Sequence, residues 1–224
     1  MGFTGFPAEA FAFLDGLTAD NSRTYWQANK HVYDLALREP MVALLDELAD
    51  FGPFHVFRPN RDVRFAADKR PYKEQIGAFG ESQGGAGYYV HVSRTGLLAG
   101  SGYYDMATDQ LARFREAVDD EVLGPQIAAL AGALVRSGLH VGAMSELKTA
   151  PRGYPRDHPR IDLLRRKGLM ASREWKPAAW LHTKAASGKV REAWAAGAEM
   201  NEWLDTHVGP SRLAPDDGLS GCRR

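Results

Sequence analysis

Residues 87–104 narrow the range of folds open to this chain more than any other stretch. Tyr88, Val90 and Val92 alternate with Tyr89, His91 and Ser93, the period of two expected of a strand with one buried face. A second extended run starts at Gly96, after Arg94 and Thr95. The pair reads as a β-hairpin, and a hairpin commits its neighbours to antiparallel pairing. Gly100 and Gly102 predict a bulge or a close backbone approach in the second strand.

Helical periodicity brackets this centre. A helix is expected over 7–17, with Pro7 at its first position and Phe11, Leu14 and Leu17 on one face. Asn21 is the expected N-cap of a second helix carrying Tyr25, Trp26, Asn29, Val32 and Tyr33. Pro40 either starts a third helix or kinks a long one, with Met41, Leu44, Leu45 and Leu48 inward. Short strands are expected at 55–57 and 62–65, and the Gly-rich residues 77–87 read as a flexible loop. Further helices are expected over 108–123, then through Ile127, Leu130, Leu134 and Val135, then after a cap at Asp157, and over 180–204. Residues 169–175 read as a strand returning to the sheet. Helices before, within and after a hairpin-rich middle give an α+β class, with a mainly antiparallel central sheet and helices packed around it. One domain over 1–208 and a disordered tail over 209–224 complete the expected organisation.

The charge is neutral overall but unevenly placed. Residues 58–73 hold six basic and two acidic side chains, and 145–176 hold nine basic and four acidic. Brought side by side, these segments would form one anion-attracting surface. Arginine forks bind phosphate and carboxylate in pairs of hydrogen bonds, and lysines add mobile point charges. The candidate ligand-binding set is therefore Arg58, Arg61, Asp62, Arg64, Asp68, Lys69, Tyr72 and Lys73 from the first segment, with Lys148, Arg152, Tyr154 and His158 from the second. Asp62 and Asp68 would orient the arginines, hold a metal or act as a base; the alternative is an Arg–Asp network that is purely architectural.

Several functional classes are excluded or weakened. Zero formal net charge argues against a nucleic-acid-coating protein. The longest apolar run, 127–135, is far short of a membrane span. The N-terminal residues lack the charged flank and apolar core of a signal peptide, and the single cysteine, Cys222, allows no internal disulfide. A soluble cytoplasmic protein is the expectation. The seven histidines form neither a His-x-His nor a His-Glu-x-x-His pair, so no metal signature is present. His91 and His158 are the two to watch. No nucleophile elbow, P-loop or dinucleotide fingerprint appears in its proper context, and no side chain is assigned a catalytic role. No cofactor and no oligomeric state are indicated.

The charged stretch Arg58-x-x-Arg61-Asp62-x-Arg64-Phe65-x-x-Asp68-Lys69-x-Pro71-Tyr72-Lys73 resembles the signature of a mainly bacterial family called domain of unknown function 2461. The resemblance extends through Phe11, Leu14, Asn21, Trp26, Tyr33 and Pro40. It continues in Gly102-Tyr103-Tyr104, in Leu147, Lys148, Pro151, Gly153 and Tyr154, and in His158, Pro159, Asp162 and Lys167, up to about residue 205. Gln27 stands where family members often carry Phe. The resemblance implies a single-domain protein of this size. The functional expectation is a soluble domain binding a small anionic ligand, with turnover of a phosphorylated substrate left open; the alternative is a structural or protein-interaction module that presents aromatics such as Tyr89, Tyr103 or Tyr104.

Overall fold

The computed structural model describes residues 2–64, 68–82 and 84–213. The expected α+β class is observed: a six-stranded antiparallel sheet in the order β1-β2-β3-β4-β6-β5 carries the helices. The strands are β1 (Phe54–Val56), β2 (Gln75–Glu81), β3 (Gly87–Ser93), β4 (Gly96–Tyr103), β5 (His140–Gly142) and β6 (Leu169–Trp175). The expected hairpin is β3–β4, with Val90 opposite Ala99 and Val92 opposite Leu97. The expected returning strand is β6, which pairs along β4.

Residues that pair across an antiparallel sheet share a face, and the face alternates along each strand. The register therefore puts Ile76, Ala78, Val90, Val92, Leu97, Ala99, Tyr103, Val141, Leu169 and Ala171 together. All ten are buried, and they divide between two core clusters. Over β1–β4 lie α1 (Ala8–Ala19), α2 (Arg23–Val32), α3 (Glu39–Glu47) and α7 (Ala185–Ala196). Over β4, β6 and β5 lie α4 (Thr108–Asp119), α5 (Leu123–Arg136), α6 (Ile161–Arg165) and α8 (Ala198–His207). No residue of the opposite sheet face joins either cluster. Among the described residues, the helices expected around the sheet thus cover one side of it only.

Several local expectations are corrected. Ser22, not Asn21, caps α2, accepting the Tyr25 N–H at 3.1 Å. Asn21 instead reaches fifty-one residues along the chain: its amide accepts the Tyr72 N–H at 3.0 Å and donates to the Tyr72 carbonyl at 3.2 Å. At Pro40 both expected readings hold in part: α3 starts at Glu39 with Pro40 in its first turn, and it follows α2 without a break. Residues 23–47 are continuously helical, and the turn at Tyr33–Arg38 is of π type, with the Glu39 N–H donating to the Asp34 carbonyl. Proline supplies no N–H to the carbonyl four residues earlier, and a wider turn just before it accommodates that break.

Much of the stretch expected as a loop over 77–87 is β2 and the start of β3. Its glycines are sites of close packing: a Cβ on Gly80 would lie 2.5 Å from the Phe54 ring, which itself stacks on Trp194 at 5.3 Å. Residues 62–64 are not a strand, and Phe65 lies outside the described residues. Arg160 rather than Asp157 precedes α6. Residues 209–213, expected in the tail, are tied to α4: Gln110 and Arg113 donate to the carbonyls of Gly209 and Pro210, and Asp109 accepts from Ser211 and Arg212. Cys222 and the rest of the expected tail lie outside the described residues.

Candidate functional site

The described residues of the charged stretch 58–73 lie on the irregular hairpin joining β1 to β2. Beyond β1 the ladder continues loosely: Phe57 N–H donates to Gly77, Asn60 bridges Tyr72, and Arg61 and Lys73 N–H groups donate to Pro71 and Pro59. Asn21 fixes the returning arm from α2, and Tyr72, only 7% exposed, stacks on Trp26 with centroids 4.4 Å apart. Tyr72 is a packing residue that anchors the hairpin.

The tip is an ion-pair lattice. Asp62 accepts from the Arg64 guanidinium at 3.1 and 2.7 Å and from the Arg64 N–H at 3.2 Å, which push its carboxyl down to about 2. Asp68 is shared by Arg61 and Arg70, and Arg70 also pairs with Glu74; these guanidiniums, Arg70 foremost, hold the Asp68 carboxyl well below its usual range. Lys69 donates to the Val63 carbonyl at 2.9 Å. Each carboxylate in the tip is thus engaged by an arginine, while Arg58 and Lys69 form no ion pair among the described residues. Lys73 places its ammonium over the Phe57 ring, 5.2 Å from the centroid, a cation–π contact.

The second basic segment lies elsewhere. It forms part of the connection from β5 to β6, with Glu146 bridging Arg166 and the Leu147 N–H donating to Arg165. β1 and β5 are the two edges of the sheet, five strand spacings or roughly 24 Å apart. Because every neighbouring pair is antiparallel, the β1–β2 and β5–β6 connections also emerge at opposite ends of the strands. The two segments therefore sit at diagonally opposite corners and do not form one cleft.

What the second segment does is local. His158 Nδ1 accepts the Arg160 N–H, and its Nε2 lies 3.1 Å from Asp119. Arg160 donates to the carbonyls of Val118, Asp119 and Asp120, binding the segment to the end of α4. Tyr154 packs against the second core cluster, and Lys148 and Arg152 are exposed.

The hairpin instead borders the sheet face that carries no helix. Phe57 shares that face with His55, Phe79, Tyr89 and His91. Their rings form a row with successive centroids 6.0 Å (Phe79–His55), 5.1 Å (His55–Phe57), 6.3 Å (Phe57–Tyr89) and 5.4 Å (Tyr89–His91) apart. Gln75 donates to Tyr89 Oη at 3.1 Å. His91 is largely buried, which pushes its pKa down to about 4, so it is neutral at physiological pH. Its Nδ1 has no hydrogen-bond partner among the described residues. Sequence patterning identified Tyr89 and His91 as one side of a strand, but Phe79 was hidden in the supposed loop, and nothing marked His55 and Phe57 as its neighbours.

A comparison with known families matches residues 9–203 to the conserved hypothetical proteins of DUF2461. The chain belongs to this family. The match covers most of the chain and includes both the signature hairpin and the open-face residues, so in this DUF2461 protein both lie within the family's own domain. No curated protein and no solved structure matches the chain.

Among the described residues, no three potential metal ligands converge, and no helix is long and apolar enough to cross a membrane. Tyr103, considered above as an exposed aromatic, is 4% exposed and donates to Gly84 and Asp205, whereas Tyr104 is 43% exposed.

Proposed function

We propose that this DUF2461 domain binds a small phosphate- or carboxylate-bearing ligand at the β1–β2 hairpin. One observation carries the reading: residues 58–74 hold six cations against three carboxylates, and the carboxylates are consumed by Arg61, Arg64 and Arg70. Arg58 and Lys69 form no ion pair among the described residues, and they stand on a hairpin anchored by Asn21 and Trp26. The reading is one of binding, with Arg58, Lys69 and Lys73 as the principal contacts; Lys148, Arg152, Tyr154 and His158 are left out of it.

Thermal-shift and calorimetric titrations with inorganic phosphate, sugar phosphates, nucleotides and carboxylates test this. A ligand present at about 100 times its dissociation constant stabilises by about 2.7 kcal/mol. Binding that is lost in Arg58→Ala and Lys69→Ala, with melting of the free protein unchanged, is the expected outcome. No shift with any anion would return the hairpin to a purely architectural role, the reading that its saturated Arg–Asp pairs favour.

A further inference from the structure

We infer that the helix-free face of the sheet takes a planar aromatic group attached to the anion, so that the ligand class is an aryl or nucleoside phosphate or carboxylate. This rests on the anion-binding reading and adds the other half of the ligand. Four features of that face support it.

First, the rings of Phe79, His55, Phe57, Tyr89 and His91 form an unbroken row with centroid spacings of 5.1–6.3 Å. That is the spacing at which aromatic groups interact, and none of these residues joins either core cluster. An aromatic row on a sheet with helices on its other side alone is a platform on which a planar group can stack.

Second, glycines flank the row: His91 and Tyr89 close over Gly77, and Gly100 adds no side chain beside Tyr89. A Cβ on Gly77 would stand 3.2 Å from His91 Cβ and 3.3 Å from Tyr89 Oη, and one on Gly100 would stand 3.0 Å from Ser172 Cβ. Gly100 lies directly opposite Tyr89, so space beside that ring is left open where a larger residue would rise.

Third, the charge is arranged by position. Lys73 holds its ammonium above Phe57, the ring of the row that leads into the hairpin. The acids of this face stand apart from it: Glu81 closes the far end of β2, and Glu174 lies on β6, three strands across. A ligand with its ring on Tyr89 and Phe57 therefore directs its anionic end toward Lys73 and the hairpin cations.

Fourth, His91 is neutral, so the floor under the ring carries no competing positive charge. Tyr89 Oη, held by Gln75 Nε2, keeps a polar atom at the edge of the platform.

Matched probe pairs test the inference separately from the anion reading: AMP against ribose 5-phosphate, and phenyl phosphate against inorganic phosphate, each titrated calorimetrically. The expected result is that the ring-bearing member of at least one pair binds roughly tenfold or more tighter, the scale of one stacking contact. Tyr89→Leu and Phe57→Leu, which keep apolar bulk, should abolish that preference while leaving the ring-free probe unchanged. The ratio within a pair is its own control for folding, since an unfolded variant loses both members.

Equal binding within both pairs overturns the ring inference and leaves the anion site standing. Failure of every probe removes both. A preference that survives both leucine variants overturns the assignment to this face.

Discussion

His91 makes the stability of this protein fall in a pH range where carboxylates contribute little. It lies on β3 with its imidazole largely buried, and burial alone pushes its pKa from 6.5 to about 4. The sign follows from linkage. Above the unfolded value of 6.5 the side chain is neutral in both states, so its burial is unopposed. As pH drops, the unfolded chain gains a proton that the folded chain refuses, and stability is lost until pH falls through the folded value. A displacement of this size corresponds to about 3 kcal/mol once pH is below 4, of which about 2 kcal/mol is already lost at pH 5. The tip carboxylates act in a separate window. Asp62, pushed down to about 2 by Arg64, contributes stability that is lost only as pH falls below its ordinary value of 3.8.

The assay is urea denaturation at half-unit intervals from pH 7.5 to 4.5, on wild type and on His91→Gln. The difference between the two isolates this one group from the other six histidines. Wild type should lose about 2 kcal/mol relative to the variant between pH 7.5 and 5, and an NMR titration should show one imidazole that stays neutral until pH nears 4. Parallel pH profiles, or a His91 resonance titrating near 6.5, would refute the argument by showing that water reaches the ring.

Three further perturbations probe the hairpin and its support. Asn21→Ala strands the N–H and C=O of Tyr72 and should cost about 1–3 kcal/mol, read by chemical denaturation, with loosening of residues 58–73 visible in hydrogen exchange. Gly80→Ala drives a methyl into the Phe54 ring and should cost about 1–3 kcal/mol; an unchanged melting temperature would show that Phe54 yields freely. Asp68→Asn removes the carboxylate that holds Arg61 and Arg70 and should tighten anion binding with little effect on folding, whereas weakened binding would show that ordering the arginines outweighs freeing their charge.

The parts of the fold legible in the sequence were those whose periodicity survives in the residues. β3 alternates Tyr88, Val90 and Val92 with Tyr89, His91 and Ser93, so hairpin, face and partner strand could be read directly. β2 is as regular in space, yet its Gly77, Ala78, Phe79, Gly80 order carries no such alternation, because two positions are kept small where neighbouring side chains press in. Composition therefore suggested a loop where packing requires a strand. Asn21 misled for a related reason: a side chain suited to capping a helix is equally suited to pairing with an extended backbone, and the choice was set by Tyr72, fifty-one residues away. The candidate site shows the same division. The density of charge at residues 58–73, and its resolution into Arg–Asp pairs, follow from residue type and spacing. The association of this stretch with residues 145–176 did not follow, because charge counts along a chain carry no strand order. Connections at opposite edges and opposite ends of an antiparallel sheet cannot share a cleft, whatever their composition. What the hairpin meets instead is the row from Phe79 to His91, assembled from three strands and invisible until their register is known. Which face of the sheet the helices leave open thus decides what the hairpin can meet.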